Sequence, residues 1–293
     1  MTCAAGDWDR GALLANPAFE SLWPAIALCP AGRFPGIDDL SGLAQMCCLT
    51  SGGGAALRFV SGDDSAHGVF DRQYEVRIYR DGEVPTRSGN VHDLFNALVW
   101  LGFPRTKAQL NRRHYESLMT RPGEQGAAGA DSGSRGTPRA ADRSRGTPRD
   151  VLTLFDESGV IVACSEPELT GLLEGFEWKA LFWSRRAEVQ RAMRFFLFGH
   201  GIHEKALRPF KGITAKALVL AVSPGFCSMP LDLQLAEADE RAAQWFSQPL
   251  GSTRMFAPLP ILGVPGWEAA NERESFYEDA AVFRPGRSSG RWK

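Results

Sequence analysis

The spacing of apolar positions divides the chain into stretches of strand-like and helical period. From Gln73 to Tyr79, Tyr74, Val76 and Ile78 alternate with Glu75, Arg77 and Tyr79, a period of two that predicts a half-buried strand. Asp81-Gly82 supplies a turn after it, and Pro85 keeps the return arm short or at a sheet edge. The period changes at Asn90. Val91, Leu94, Phe95, Leu98 and Val99 share one helical face, Asn90 can cap that helix, and Asp93 lies in its first turn, where the dipole favours an acid. Gly102-Phe103-Pro104 ends it. Thr106 to Gln109 has the form of a capping box, so a second helix is expected from Thr106 to Met119.

Further along, Val151 to Phe155 and Val160 to Cys164 flank Asp156-Glu157-Ser158-Gly159, which predicts a hairpin. Helices are expected from Glu166 to Leu207, a strand from Lys216 to Val222, and a helix from Leu231 to Phe246. The fold class that follows is α+β: a small, mostly antiparallel sheet packed by helices, with a helix-rich second half. Arg121 to Asp150 differs from its surroundings. It holds no Val, Ile, Leu, Met, Phe, Trp, Tyr or Cys, and SRGTPR occurs at Ser134 to Arg139 and again at Ser144 to Arg149. Such composition cannot form a core, so residues 1–120 and 150–293 are expected to make one domain interrupted by a disordered low-complexity insertion at 121–149.

Charge narrows the partners. Lys+Arg number 33 against Asp+Glu 34, a net charge of -1, which removes any global attraction to nucleic acid or anionic lipid and leaves only local patches. The longest charge-free stretch, Leu40 to Leu57, is rich in Gly and polar residues, so no membrane span and no membrane partner are expected. The opening MTCAAGDWDRG shows no secretory pattern, and the six cysteines form no C-x-x-C pair; reduced thiols and a cytoplasmic location are expected. Gly-rich dinucleotide and phosphate-binding signatures and the G-x-S-x-G elbow are missing. Ser51-Gly52-Gly53-Gly54 reads either as a flexible loop or as a set of backbone donors for an anion.

Chemistry concentrates in two places. FFLFGHGIHEKALRPF puts His200 and Glu204 one helical turn apart, and a helical stripe through Met193 and Phe196 would point His200 inward, where its ring needs Glu204 or a metal as partner. His92, Asp93 and Asn96 lie on the Asn90 helix, and Asn111 and His114 lie on the next; His114 shares a row with Leu110 and Leu118, as either a core histidine or a ligand. Taken together, His92, Asp93, Asn96, His114, His200 and Glu204 are the candidate catalytic set. Within it His92, His114, His200 and Glu204 are candidate ligands for a divalent metal such as zinc, provided the rings of His92 or His114 come within about 10 Å of the His200 to Glu204 face. Arg105, Lys107, Arg112 and Arg113, with Arg185, Arg186, Arg191 and Arg194, are the candidate nucleic-acid contacts.

The stretches YEVRIYRDGEVPTRSGNVHDLFNALVWLGFPRTKAQLNRRH, FWSRRAEVQRAMRFFLFGHGIHEKALRPFKGITAKALVL and PLPILGVPGW with FRPGR resemble the bacterial family catalogued as domain of unknown function 3025. The resemblance covers most of the chain outside Arg121 to Asp150 and implies a soluble bacterial protein without an assigned activity. A hairpin followed by a helix, with Asn96 and then Asn111 and His114 spaced N-x-x-H, is also similar to the tail of HNH endonuclease domains. In those a strand histidine activates water, whereas here Tyr74 to Tyr79 holds no histidine and His92 opens the helix instead. Two functions are therefore open: a metal-assisted hydrolase acting on a phosphoester or related bond, and a non-catalytic module that binds nucleic acid or protein.

Overall fold

A computed structural model describes residues 8–62, 70–119 and 148–284 of the 293. Three short helices open the described chain: α1 (Arg10–Ala15), α2 (Trp23–Leu28) and α3 (Ile37–Met46). Strand β1 (Arg58–Ser61) follows, then helix α4 (Phe70–Asp81) and strand β2 (Glu83–Thr86), which pairs parallel to β1 in a two-stranded sheet. Helices α5 (Val91–Gly102), α6 (Pro104–Met119) and α7 (Pro148–Ser158) lead into strand β3 (Gly159–Cys164). The rest is α8 (Pro167–Glu174), α9 (Arg186–Ala192), β4 (Met193–Leu197), α10 (His200–Ala206), β5 (Thr214–Ala221), α11 (Leu231–Ser247) and β6 (Ala257–Pro260). The main sheet runs β4-β3-β5-β6, antiparallel at both edges and parallel between β3 and β5. The α+β class with a small, mostly antiparallel sheet is therefore observed, but the whole four-stranded sheet lies in the half of the chain expected to be helix-rich.

Three expected elements take the other form. Tyr74 to Tyr79 belongs to helix α4, because its partners lie on another helix: Asn111 Nδ2 of α6 donates to Glu75 Oε2 at 2.7 Å, and the Tyr79 ring stacks on Tyr115 with centroids 3.8 Å apart. Residues 75 and 79, like 111 and 115, are one turn apart, so two helices meet along a shared row. Gly82 does turn the chain, yet from helix to strand: its φ is +68°, and a Cβ there would meet Ala56 O at 2.0 Å. The expected hairpin arm Val151 to Phe155 is the body of α7, with Val151, Leu152 and Phe155 buried at helical spacing, and the chain passes into β3 without a loop. Met193 to Leu197 is strand β4 rather than helix, since its apolar run is buried by pairing with the wholly buried β3. A short continuous apolar run satisfies either period.

The start of α6 also differs in its capping. Thr106 does not form a capping box; Asp239 of α11 reaches across to accept from Arg105 N at 2.9 Å and Thr106 N at 2.8 Å, while Thr106 Oγ1 donates to Asp239 O at 3.0 Å. The Asn90 cap of α5 is as expected, its Oδ1 accepting from Asp93 N at 3.0 Å. The glycine loop after Ser51 is packed, not open to an anion: Gly52 N donates to Asn111 Oδ1, and a Cβ at Gly52 would lie 2.5 Å from Ala108 O. Buried apolar side chains from Leu13 to Phe283 form one cluster. Of the expected insertion at 121–149, residues up to 147 lie outside the described residues, and Pro148 to Asp150 open α7. Among the described residues no helix is long and apolar enough to cross a membrane, and the five described cysteines form no disulfide.

One histidine is part of this core. His203 on α10 has no exposed surface; its Nδ1 donates to Gly199 O at 2.8 Å, and the ring stacks on Phe95 at 5.5 Å. Burial brings its imidazole down to about 3, with the neighbouring His200 acting in the same direction against the Gly199 hydrogen bond.

Two outcomes follow. Asp239→Ala removes the acceptor for two helix-start amides and is expected to lower unfolding free energy by about 1–2 kcal/mol in urea titration, with Asp239→Asn less harmful. Below pH about 6.5 the unfolded chain protonates His203 while the folded chain resists until pH about 3. Stability is therefore expected to fall across that window as pH falls, by on the order of several kcal/mol, and His203→Gln should flatten this acid limb in pH-dependent denaturation.

Candidate metal centre

Helix α6 carries an unusual buried face: Thr106, Lys107, Asn111 and His114 are buried, with Leu110 the apolar residue among them. Such a face is stable only if other elements supply partners. Lys107, 5% exposed, donates from Nζ to Asp156 Oδ1 of α7 at 2.6 Å and to Asn96 Oδ1 of α5 at 2.9 Å. Asn96 Nδ2 donates in turn to the Tyr74 hydroxyl of α4 at 3.0 Å, and the Lys107 ammonium lies 5.4 Å from the Trp100 ring centroid.

Two imidazoles meet at the far side of Asp156. The His92 and His200 rings have centroids 4.5 Å apart and stand edge to face. His92, Glu157 and His200 each bring one ligand atom to within 4.8 Å of the others. Glu157 Oε1 lies 3.2 Å from His200 Nε2 and 3.9 Å from His92 Nε2, so both Nε2 atoms face one carboxylate. The opposite ring nitrogens face other carboxylates: His92 Nδ1 donates to Glu204 Oε2 at 2.9 Å, and His200 Nδ1 stands 3.7 Å from Asp156 Oδ2. A carboxylate behind each ring and an Nε2 turned toward a shared carboxylate in front resembles the arrangement of metal-bound histidines.

Local packing sets these positions. Glu157 is the penultimate residue of α7, and α10 passes so close to it that a Cβ on Gly201 would lie 2.4 Å from Glu157 Oε2. Gly199 is tighter still against backbone, 2.4 Å from Ser158 N. Burial pushes the Glu157 carboxyl up, but the His200 hydrogen bond and the two imidazoles beside it leave it below the ordinary carboxylate value. Asp156 behaves likewise: burial raises it, and the Lys107 ammonium, then His200, outweigh that and leave it low. On the other side of the network burial wins, so the Glu75 carboxyl is raised despite His114 and Asn111, and the Tyr74 phenol is raised well above its ordinary value. Side chains of His92 and Glu157 remain 31% and 44% exposed, which opens the cluster to solvent on their side.

Of the six residues expected to be catalytic, His92, His200 and Glu204 meet here, and Asn96 stands behind them through Lys107 and Asp156. Glu204 touches His92, not His200, because His200 heads α10 at the end of β4 rather than continuing a helical stripe. His114 is absent from the three-ligand group and lies beside Glu75 and Asp156, whose carboxyls it lowers. Asp93 gives its backbone N–H to the Asn90 cap of α5, and its carboxylate pairs with Arg87 at 2.9 Å. Asp156 and Glu157 read as turn residues in the sequence, and the signal that places them on a helix is the spacing of Val151, Leu152 and Phe155 just before them.

Most of the basic candidates are engaged within the chain. Lys107 is buried as described, Arg105 pairs with Glu240 at 3.0 Å, Arg112 Nε donates to Gly52 O and Arg113 Nη1 lies 3.5 Å from Ser247 O. In the second set Arg185 pairs with Glu188 and Arg186 with Glu272, and Arg194 donates to Cys227 O. The hairpin behind the HNH likeness is not formed, since Tyr74 to Tyr79 lies in α4.

Residues 57–287 match the family described as Protein of unknown function (DUF3025). No curated protein and no solved structure matches the chain.

Gly201→Ala separates site from fold. In a helix alanine is favoured over glycine by up to about 1 kcal/mol, which offsets the crowding of its Cβ against Glu157 O at 3.0 Å, while the same Cβ must displace the flexible end of Glu157, whose Oε2 would lie 2.4 Å away. The expected result is a thermal midpoint near that of the wild type with zinc affinity lowered about tenfold or more in calorimetric titration.

Proposed function

This chain belongs to the DUF3025 family of proteins of unknown function, and we propose that His92, Glu157 and His200 hold a divalent cation of the zinc class that activates water to hydrolyse a phosphoester or related bond. The observation that carries this reading is the convergence of two imidazole Nε2 atoms on one carboxylate, each ring backed by a further carboxylate. Separations of 3.2 and 3.9 Å are near those set by ligands about 2.0–2.2 Å from a shared ion.

Charge supports the same reading. Glu157, Glu204 and Asp156 against Lys107 leave an excess of negative charge around two imidazoles, which a divalent cation neutralises. Imidazole and carboxylate donors suit zinc, iron or manganese rather than calcium or magnesium. Three protein ligands leave a coordination position for water, whose pKa such an ion lowers to about 7. The exposed edges of His92 and Glu157 give a substrate access to that position. A nucleic-acid module built on Arg105, Lys107, Arg112 and Arg113 has less support, because Lys107 points into the protein and the arginines already hold partners.

Purified protein is expected to carry close to one equivalent of a first-row divalent metal by elemental analysis, and to hydrolyse bis-p-nitrophenyl phosphate when that metal is present. Chelation, His92→Ala and Glu157→Gln should each abolish the turnover. A protein that takes up no zinc, manganese or iron overturns the metal site, and one that binds metal yet cleaves no phosphoester or carboxylic ester overturns the hydrolase reading alone.

A further inference from the structure

We infer that Lys107 and Asp156 are a positioning pair for His200: the ammonium fixes the Asp156 carboxylate, whose second oxygen holds the imidazole with Nδ1 protonated and Nε2 turned toward the cation site. This deepens the metal reading above and rests on it.

The geometry runs in one direction through the interior. The Tyr74 hydroxyl accepts from Asn96 Nδ2 at 3.0 Å, which presents Asn96 Oδ1 to the ammonium of Lys107 at 2.9 Å. That ammonium is thereby held where it donates to Asp156 Oδ1 at 2.6 Å. The carboxylate then has one orientation, and its free oxygen, Oδ2, lies 3.7 Å from His200 Nδ1. His200 Nδ1 is buried without a hydrogen bond, and Asp156 Oδ2 at 3.7 Å is the acceptor that faces it. On the other side of the ring Nε2 sits 3.2 Å from Glu157 Oε1, among the ligand atoms.

A cation bound through Nε2 leaves Nδ1–H as the ring's one donor. Closing the 3.7 Å gap then needs only a small rotation of an imidazole whose neighbours are already fixed. The parallel at His92 is complete, with Nδ1 donating to Glu204 at 2.9 Å, but among the described residues no buried cation holds Glu204. The His200 arm reaches back through α7, α6 and α5 to α4. Lys107 thus acts through another residue, and its removal should be felt as a loosened ligand rather than as a lost one.

The test is a double-mutant cycle read by zinc affinity, with a chelating dye as competitor at fixed pH. Lys107→Met and Asp156→Asn should each weaken zinc binding 10- to 100-fold, and the double variant should bind no more weakly than Asp156→Asn alone. The double variant also removes both buried charges, so it remains informative if Lys107→Met alone fails to fold. In zinc-loaded wild type, nitrogen-15 histidine spectra should show a His200 Nδ1–H proton protected from exchange, and this signal should be lost in all three variants. Zinc binding by wild type together with unchanged affinity in Lys107→Met, multiplicative losses in the double variant, or His200 bound through Nδ1 overturns the positioning role and leaves the metal site standing. No zinc binding by wild type overturns both.

Discussion

A lysine ammonium inside a protein has to be met by groups that stay in place, and the Lys107 amine sets that requirement for half of this fold. Its partners come from α5 and α7, and their partners from α4 and α10. Replacing such a buried pair by apolar groups often costs little, whereas losing one member costs about 3–5 kcal/mol. The pair therefore contributes less to net stability than to choice among arrangements, since any packing that separates α6 from α7 strands a charge. Thr106, Asn111 and His114 extend the same constraint along α6, toward Asp239 on one side and Glu75 on the other.

Where the sequence was legible, local and tertiary signals agreed. The Asn90 cap, the apolar face of α5, strand β5 and helix α11 all have a period and a boundary that point the same way. Three segments were misread for one reason: their spacing fits two periods, and the deciding partner is remote in sequence. Tyr74 to Tyr79 alternates well enough for a strand, but Asn111 and Tyr115 make it a helix. VLTLF and MRFFL are mostly apolar segments of equal length, and one became helix α7 and the other strand β4 according to what buries them.

The candidate site was legible in part for the same reason. His92, His200 and Glu204 carry chemistry in their residue type, so they could be singled out before their elements were known. Asp156 and Glu157 could not, because Asp-Glu-Ser-Gly is turn chemistry until the helix before it is recognised. Lys107 reads as a surface cation in the sequence because lysine is almost never fully buried without a partner, and that partner, Asp156, directly follows a segment whose period is ambiguous.

The join between α7 and β3 carries a further consequence. Val160 of β3 pairs with Leu197 of β4; Glu157 stands three residues before the one and His200 three residues after the other. The two proposed ligands are thus mirror positions about the end of one antiparallel pair. A slip of a single residue in that pairing would move them apart by about 3.4 Å along the strands and turn alternate side chains to the opposite face. The cost of bringing together two residues so distant in the chain is met by the buried strands themselves. A cation held there would discriminate between correctly and incorrectly assembled chains, binding the first and ignoring the second, so metal occupancy would serve as a measure of folding quality.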